Sequence, residues 1–89
     1  MLQVVYLDAY EEVIGTLRGI EKDEFAISLI FDNFQVIFNL NSKEGELVEK
    51  TIDNGLIGEK IGLLRTDSKD NPLIFRKIED EKKGVTEQR

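Results

Sequence analysis

Two neighbouring segments of the chain, residues 24–31 and 34–40, place an apolar side chain at every second position. Alternation with a period of two puts these side chains on one face of a β-strand. Only Asp32 and Asn33 separate the segments, and both residue types tolerate the positive φ angles of a two-residue hairpin turn. The pattern therefore predicts a β-hairpin that turns at Asp32-Asn33. Its apolar positions are Phe25, Ile27, Leu29, Phe31, Phe34, Val36, Phe38 and Leu40.

Apolar stretches before and after the hairpin predict four more strands, at residues 2–7, 13–20, 60–65 and 73–78. Gly15 and Gly19 lie within the second of these stretches. Glycine inside a strand often marks a bulge or a sharp bend, and such bends curl a small sheet towards a barrel. The glycines therefore predict a strongly bent strand in the first quarter of the chain.

One amphipathic helix is predicted near residues 43–54. Leu47, Val48, Thr51 and Ile52 recur at helical spacing, and Asn54-Gly55 supplies a stop signal. The run from Asn41 to Glu44 has the form of a capping box in which Asn41 is the cap and Glu44 follows three residues later. Gly45 in the first turn disfavours helix, which predicts a late start or fraying there.

These elements predict an α+β, mostly β fold. Five or six antiparallel strands and one helix near residues 43–54 would form either a small, partly open barrel or a strongly twisted sheet. Residues 1–78 are predicted to form a single small domain. Residues 79–89 are nearly all polar or charged and are predicted to form a flexible tail.

The location of the protein is predicted from what its sequence lacks. No apolar run reaches the roughly 18–20 residues that a membrane-spanning helix requires. The chain contains no cysteine, and its first residues lack the basic region and cleavage site of a secretory signal. A cytoplasmic protein that does not bind membranes is therefore expected.

The sequence favours binding over catalysis. It contains neither histidine nor cysteine, which removes the commonest general base, the thiolate nucleophile and the usual ligands of transition metals. No phosphate-binding P-loop or dinucleotide-binding glycine motif occurs. We therefore expect a non-catalytic binding or assembly module, with no required cofactor, that binds a protein partner or itself.

Charge argues against nucleic acid as the partner. Twelve Lys and Arg residues stand against 18 Asp and Glu residues, so the net charge is −6. Nucleic-acid binding depends on basic groups that replace the counterions of the phosphates. Tyr6 and Tyr10 are therefore interpreted as aromatics at the edge of the core rather than as platforms for bases.

The loop from Thr66 to Pro72 carries an alternative function. Asp67, Asp70 and Asn71 are candidate ligands for calcium, which takes about six to eight oxygen ligands, and Glu44 or Glu46 would add to them if the helix start lies close. The spacing does not fit the EF-hand pattern. The same residues are also typical of a turn that uses Asp, Asn and Pro for backbone reasons. Divalent-cation binding is thus the second hypothesis.

Residues 13–20 followed by residues 23–29 resemble the first motif of the Sm-like family, with matches at Gly15, Gly19, Asp23 and Phe25. The resemblance implies a small, strongly bent five-stranded barrel that assembles into rings and binds uridine-rich RNA. Ile27 stands where the family has an Asn that contacts a base, and residues 64–67 only distantly match the second motif. The RNA site is therefore not carried over, and an RNA-binding ring is the third hypothesis. Residues 56–62 also resemble the opening of a PRC-barrel domain, another small β module.

Overall fold

The structure is a computed structural model that describes residues 2–78. The described chain forms six strands, one α-helix (α1) and one short 3-10 helix. In chain order these are β1 (Gln3–Val5), β2 (Glu12–Lys22), β3 (Ala26–Phe31), β4 (Phe34–Asn39), α1 (Lys43–Thr51), the 3-10 helix (Asn54–Leu56), β5 (Lys60–Arg65) and β6 (Leu73–Lys77). The predicted α+β, mostly β fold is confirmed. The predicted tail at residues 79–89 lies outside the described residues.

The six strands form one sheet in the order β1-β4-β3-β2-β5-β6. The sheet is open, since β1 and β6 lie at its two edges, and this agrees with the partly open alternative. Four of the pairings are antiparallel as predicted, but β1 pairs with β4 in parallel. The orientation differs because β1 and β2 run in the same direction, so the connection between them does not reverse the chain as a hairpin would.

Strand β2 links the two halves of the sheet. Its first half, residues 12–16, pairs with β5, and its second half, residues 17–22, pairs with β3. The register shifts between Leu17 and Gly19, which confirms an irregularity in the predicted glycine-containing strand. This irregularity lies where β2 passes from one neighbour to the other.

The predicted hairpin is present, with β3 ending at Phe31 and β4 beginning at Phe34. The rings of Phe31 and Phe34 stack with their centroids 4.7 Å apart. A Cβ atom at Gly15 would lie 3.0 Å from the Phe31 ring and 3.3 Å from the Phe34 ring, so glycine lets both rings approach β2. Arg18 also forms an ion pair with Asp32 in the turn.

The alternation predicted for the hairpin holds except at its first apolar position, Phe25. Ile27, Leu29 and Phe31 are buried, as are Val36 and Phe38, and α1 covers this face of β3 and β4. Phe25 is 70% exposed, because β3 begins only at Ala26 and Phe25 belongs to the preceding turn.

Helix α1 begins at Lys43 without the predicted delay. Its N-cap is Ser42, not Asn41, and the Ser42 hydroxyl accepts a hydrogen bond of 3.0 Å from the Gly45 amide. Gly45 is buried, and a Cβ atom there would lie 2.0 Å from the Asn39 carbonyl oxygen. Glycine therefore allows the first turn of α1 to pack against the end of β4. The helix ends at Thr51, before the predicted end near residue 54, and residues 54–56 form a separate 3-10 helix.

No helix within residues 2–78 is long and apolar enough to cross a membrane.

We expect Gly45→Ala to lower the free energy of unfolding by about 3 kcal/mol, because either the helix start or the end of β4 must move. Urea denaturation measures this loss. The matched control is Gly19→Ala, whose Cβ would lie 3.9 Å from Ile30 in ordinary contact. The control should change the free energy by less than about 1 kcal/mol. Equal losses for both variants would contradict the packing argument.

The turn between β2 and β3 is held by Asp23. Its carboxylate accepts hydrogen bonds from the backbone amides of Phe25, at 2.7 Å, and Ala26, at 2.9 Å. The bond from Phe25 is the main cause that lowers the pKa of Asp23 below its ordinary value of 3.8, followed by the bond from Ala26. Both bonds favour the ionised form.

This pKa shift predicts an acid-dependent contribution to stability. Ionised Asp23 stabilises the fold above pH 3.8, the ordinary value, and the contribution is lost as the pH falls through the lower folded-state pKa. In Asp23→Asn the side-chain amide oxygen still accepts hydrogen bonds, but the amide group does not titrate in this acid range. Its free energy of unfolding should therefore fall less steeply than that of the parent protein in acid. Denaturation at a series of acid pH values checks this, and identical slopes would contradict it.

Candidate protein-interaction site

A cleft of about 150 Å³ opens where four segments of the chain meet. They are the chain following β1, the end of β4, the start of α1 and the end of β5. We name it the Tyr6–Arg65 cleft after two residues on its walls. Its lining residues are Tyr6, Leu7, Ile37, Phe38, Asn39, Ser42, Glu44 and Arg65.

One wall of the cleft is the end of β4, beyond the reach of β1. Strand β1 pairs with β4 only from Gln3 opposite Phe34 to Val5 opposite Val36. Residues 37–39 still pair with β3 on their other side, but no described strand lies beside them on the β1 side. The last half of β4 therefore has no strand partner on the β1 side, although the Asn39 carbonyl accepts a hydrogen bond of 3.0 Å from the Ser42 amide.

Arg65 holds the walls of the cleft together. Its Nη1 atom donates a 2.7 Å hydrogen bond to the Leu7 carbonyl, and its Nη2 atom lies 2.9 Å from the Glu44 carboxylate. Its backbone amide donates to the Glu11 carbonyl at 2.9 Å, and its own carbonyl accepts from the Tyr10 amide at 2.5 Å. The Nε atom is buried and has no hydrogen-bond partner among the described residues. Arg65 therefore joins three segments and leaves its buried Nε–H donor without an acceptor among the described residues.

Two tyrosines predicted at the core edge are exposed instead. Tyr6 is 70% exposed and Tyr10 is 66% exposed. They leave the core because residues 6–11 form the connection that crosses the end of β5. Tyrosine and arginine are the residue types that contribute most at protein interfaces.

Tyr10 is fixed in an unusual backbone conformation. Its φ angle is +66°, in the left-handed region that most side chains avoid. Its hydroxyl donates a 2.7 Å hydrogen bond to Asp67, which ties the connection after β1 to the loop between β5 and β6. This hydrogen bond is the main cause that raises the pKa of Tyr10 above 10.0, and the negative charge of Asp67 adds to it.

The three predicted calcium ligands lie together in the exposed loop between β5 and β6, yet their neighbours are protein groups. Asp67 accepts from Tyr10, while the Asn71 carbonyl accepts a 2.5 Å hydrogen bond from the Thr66 hydroxyl. The Ser68 hydroxyl oxygen accepts from the Asn71 amide at 3.2 Å. Thr66, Ser68 and Asn71 thus hydrogen-bond one another as in a turn, while Asp70 is exposed in the same loop.

Glu44, one of the two expected additional calcium ligands, pairs with Arg65. Within residues 2–78, no group of three or more His, Cys, Asp or Glu side chains is placed to hold a metal ion. Calcium binding by Asp67, Asp70 and Asn71 stays a prediction.

The size of the clefts limits what they hold. A second cleft, between α1 and β6, measures about 240 Å³, and a third, beside the β2–β3 turn, about 150 Å³. Small-molecule and cofactor sites usually measure about 300–1,000 Å³. Each of these three clefts instead has room for a single side chain or a short stretch of backbone.

Comparisons of the chain with known protein families, curated proteins and solved structures found no match. The resemblance to the Sm-like family, and the ring and RNA binding that it implies, stay predictions.

Sequence reasoning did not identify the Tyr6–Arg65 cleft. The one available signal was Arg65, a charged residue that ends the otherwise apolar run from Ile61 to Leu64. The residues around Arg65 are set by the parallel placement of β1. No local sequence pattern predicts that placement.

We expect Asp67→Asn to lower the pKa of Tyr10 towards 10.0, because the substitution removes the carboxylate that raises it. The raised pKa contributes stability below pH 10.0, and the contribution is lost as the pH rises through the folded-state value. NMR titration of the Tyr10 ring measures the pKa, and an unchanged value would contradict the contact. Calcium held by Asp67 would also lower this pKa, so repeating the titration in millimolar calcium tests the cation-binding hypothesis.

Proposed function

We propose that this domain is a non-catalytic protein-interaction module that binds its partners at the Tyr6–Arg65 cleft. The observation that carries the proposal is the short reach of β1. Because β1 pairs with β4 only as far as Val36, the cleft combines a strand edge with an exposed tyrosine. Strand edges pair readily with another extended chain.

The two outer strands of the sheet support a role for the β1 side. The other edge strand, β6, carries Arg76 and Lys77, and charges of this kind discourage edge-to-edge pairing. Residues 2–6, by contrast, carry no charge in a chain in which 34% of the residues are charged. The β1 side therefore lacks the charge protection that β6 has.

The chemistry of the chain also favours binding. The whole sequence contains no histidine or cysteine, and the cleft holds about 150 Å³. Its lining includes Tyr6, Phe38 and Arg65, which belong to the residue types that are enriched at protein interfaces. A single side chain of a partner fits this volume.

Selection of peptides from a displayed random library, with the domain as bait, tests the proposal. Selected peptides should bind Tyr6→Ser about ten-fold more weakly, a loss of about 1.4 kcal/mol that is typical of an interface tyrosine. Phe25→Ser is the matched control, because Phe25 is also an aromatic residue that is 70% exposed but does not line the cleft. The control should bind as the parent domain does.

Circular dichroism of both variants checks that they fold. Peptides that lose equal affinity to both variants, or that bind both as tightly as the parent domain, would place the binding surface elsewhere. A library that yields no binder would contradict the interaction module itself.

A further inference from the structure

We propose, on the basis of the function proposed above, that the partner at the Tyr6–Arg65 cleft is an extended segment bearing Lys or Arg side chains. The segment adds as a strand beside residues 37–39 of β4. Backbone pairing, the unused donor of Arg65 and the charge of the surrounding loops each support one part of this assignment.

The position of the segment follows from the sheet. Residues 37–39 continue β4 beyond the point where β1 ends, and they line the cleft at Ile37, Phe38 and Asn39. Strand β3 occupies their other side, and the Asn39 carbonyl already accepts a hydrogen bond of 3.0 Å from the Ser42 amide. A new strand would therefore pair with the Ile37 carbonyl and the Asn39 amide. An extended segment there would continue the row that β1 begins.

Arg65 favours a neutral acceptor on that segment. Its Nε–H is buried without an acceptor among the described residues, although the side chain as a whole is 39% exposed at the cleft. A buried donor is stabilised when it gains an acceptor. The positive charge of Arg65 is already offset by Glu44 at 2.9 Å. A backbone carbonyl would therefore supply what the guanidinium lacks without adding charge.

The two loops that flank the cleft favour a basic segment. Residues 7–11 and 66–71 together contain four exposed carboxylates and one ammonium group, in a chain of net charge −6. The charged residues are Asp8, Glu11, Asp67, Asp70 and Lys69. Such a field attracts basic side chains and repels acidic ones. The exposed Tyr6 ring also offers a face to a cation.

Three synthetic peptides of about six residues, the usual length of a strand, test the assignment. In the first, valine alternates with lysine; in the second, glutamate replaces each lysine; in the third, a central valine of the basic peptide is replaced by proline. Fluorescence anisotropy at low salt should show binding of the basic peptide alone, because proline removes a donor that the strand ladder needs. Added salt should weaken this binding.

Glu44→Gln should weaken binding of the basic peptide about three-fold, as expected for a partly exposed charge pair. Glu46→Gln is the matched control: it removes the same charge from the first turn of α1 but lies outside the cleft lining. Glu46→Gln should weaken binding of the basic peptide by less than half as much as Glu44→Gln does. Equal losses for the two variants would show that only net charge matters and would overturn the site.

The remaining outcomes separate this assignment from the function on which it rests. Tighter binding of the acidic peptide would overturn the charge argument, and equal binding of the proline peptide would overturn strand addition. If no peptide binds while sedimentation shows a dimer, the edge belongs to a second copy and the assignment is wrong. If no peptide binds although the library yields Tyr6-dependent binders, the partner class is wrong and the interaction site stands.

Discussion

The sheet depends on the contact between the Phe31 and Phe34 rings and the backbone of β2 at Gly15. The stacked rings lie at the hairpin turn, and a Cβ atom at Gly15 would meet both of them. This contact holds the β3–β4 hairpin against the middle of β2, close to the point where β2 changes partners. Both halves of the sheet are therefore organised around one backbone position that has no side chain.

The cleft follows from the same arrangement. Strand β1 runs parallel to β2, so the chain must cross the end of β5 between them instead of turning back along β4. It leaves β4 after Val36, and Arg65 receives the crossing segment through bonds to Leu7, Tyr10 and Glu11. The parallel placement of β1 thus explains both why β4 lacks a strand partner after Val36 and why Arg65 has several hydrogen-bond partners.

The parts of the fold that local patterns predict are those that local forces determine. The turn at Asp32-Asn33 and the bounds of β5 are correct because alternation and turn chemistry act within a few residues. Helix propensity disfavours Gly45 because it reflects the local chain alone. It does not include the packing of the first turn of α1 against Asn39, which requires glycine at this position. Phe25 fits the alternation in sequence, yet Asp23 holds Phe25 in a turn, and the strand begins at Ala26, two residues later than predicted.

The site was harder to predict than the fold because its residues meet only in three dimensions. Tyr6 and Arg65 are 59 positions apart in sequence and come together through the parallel placement of β1. The acidic residues are visible in the sequence, but their partners are not: Asp67 accepts a hydrogen bond from Tyr10, and Glu44 pairs with Arg65. In each pair the carboxylate fixes a side chain that interfaces favour. The acidic groups therefore fix side chains around the cleft and also set the charge that any partner must complement.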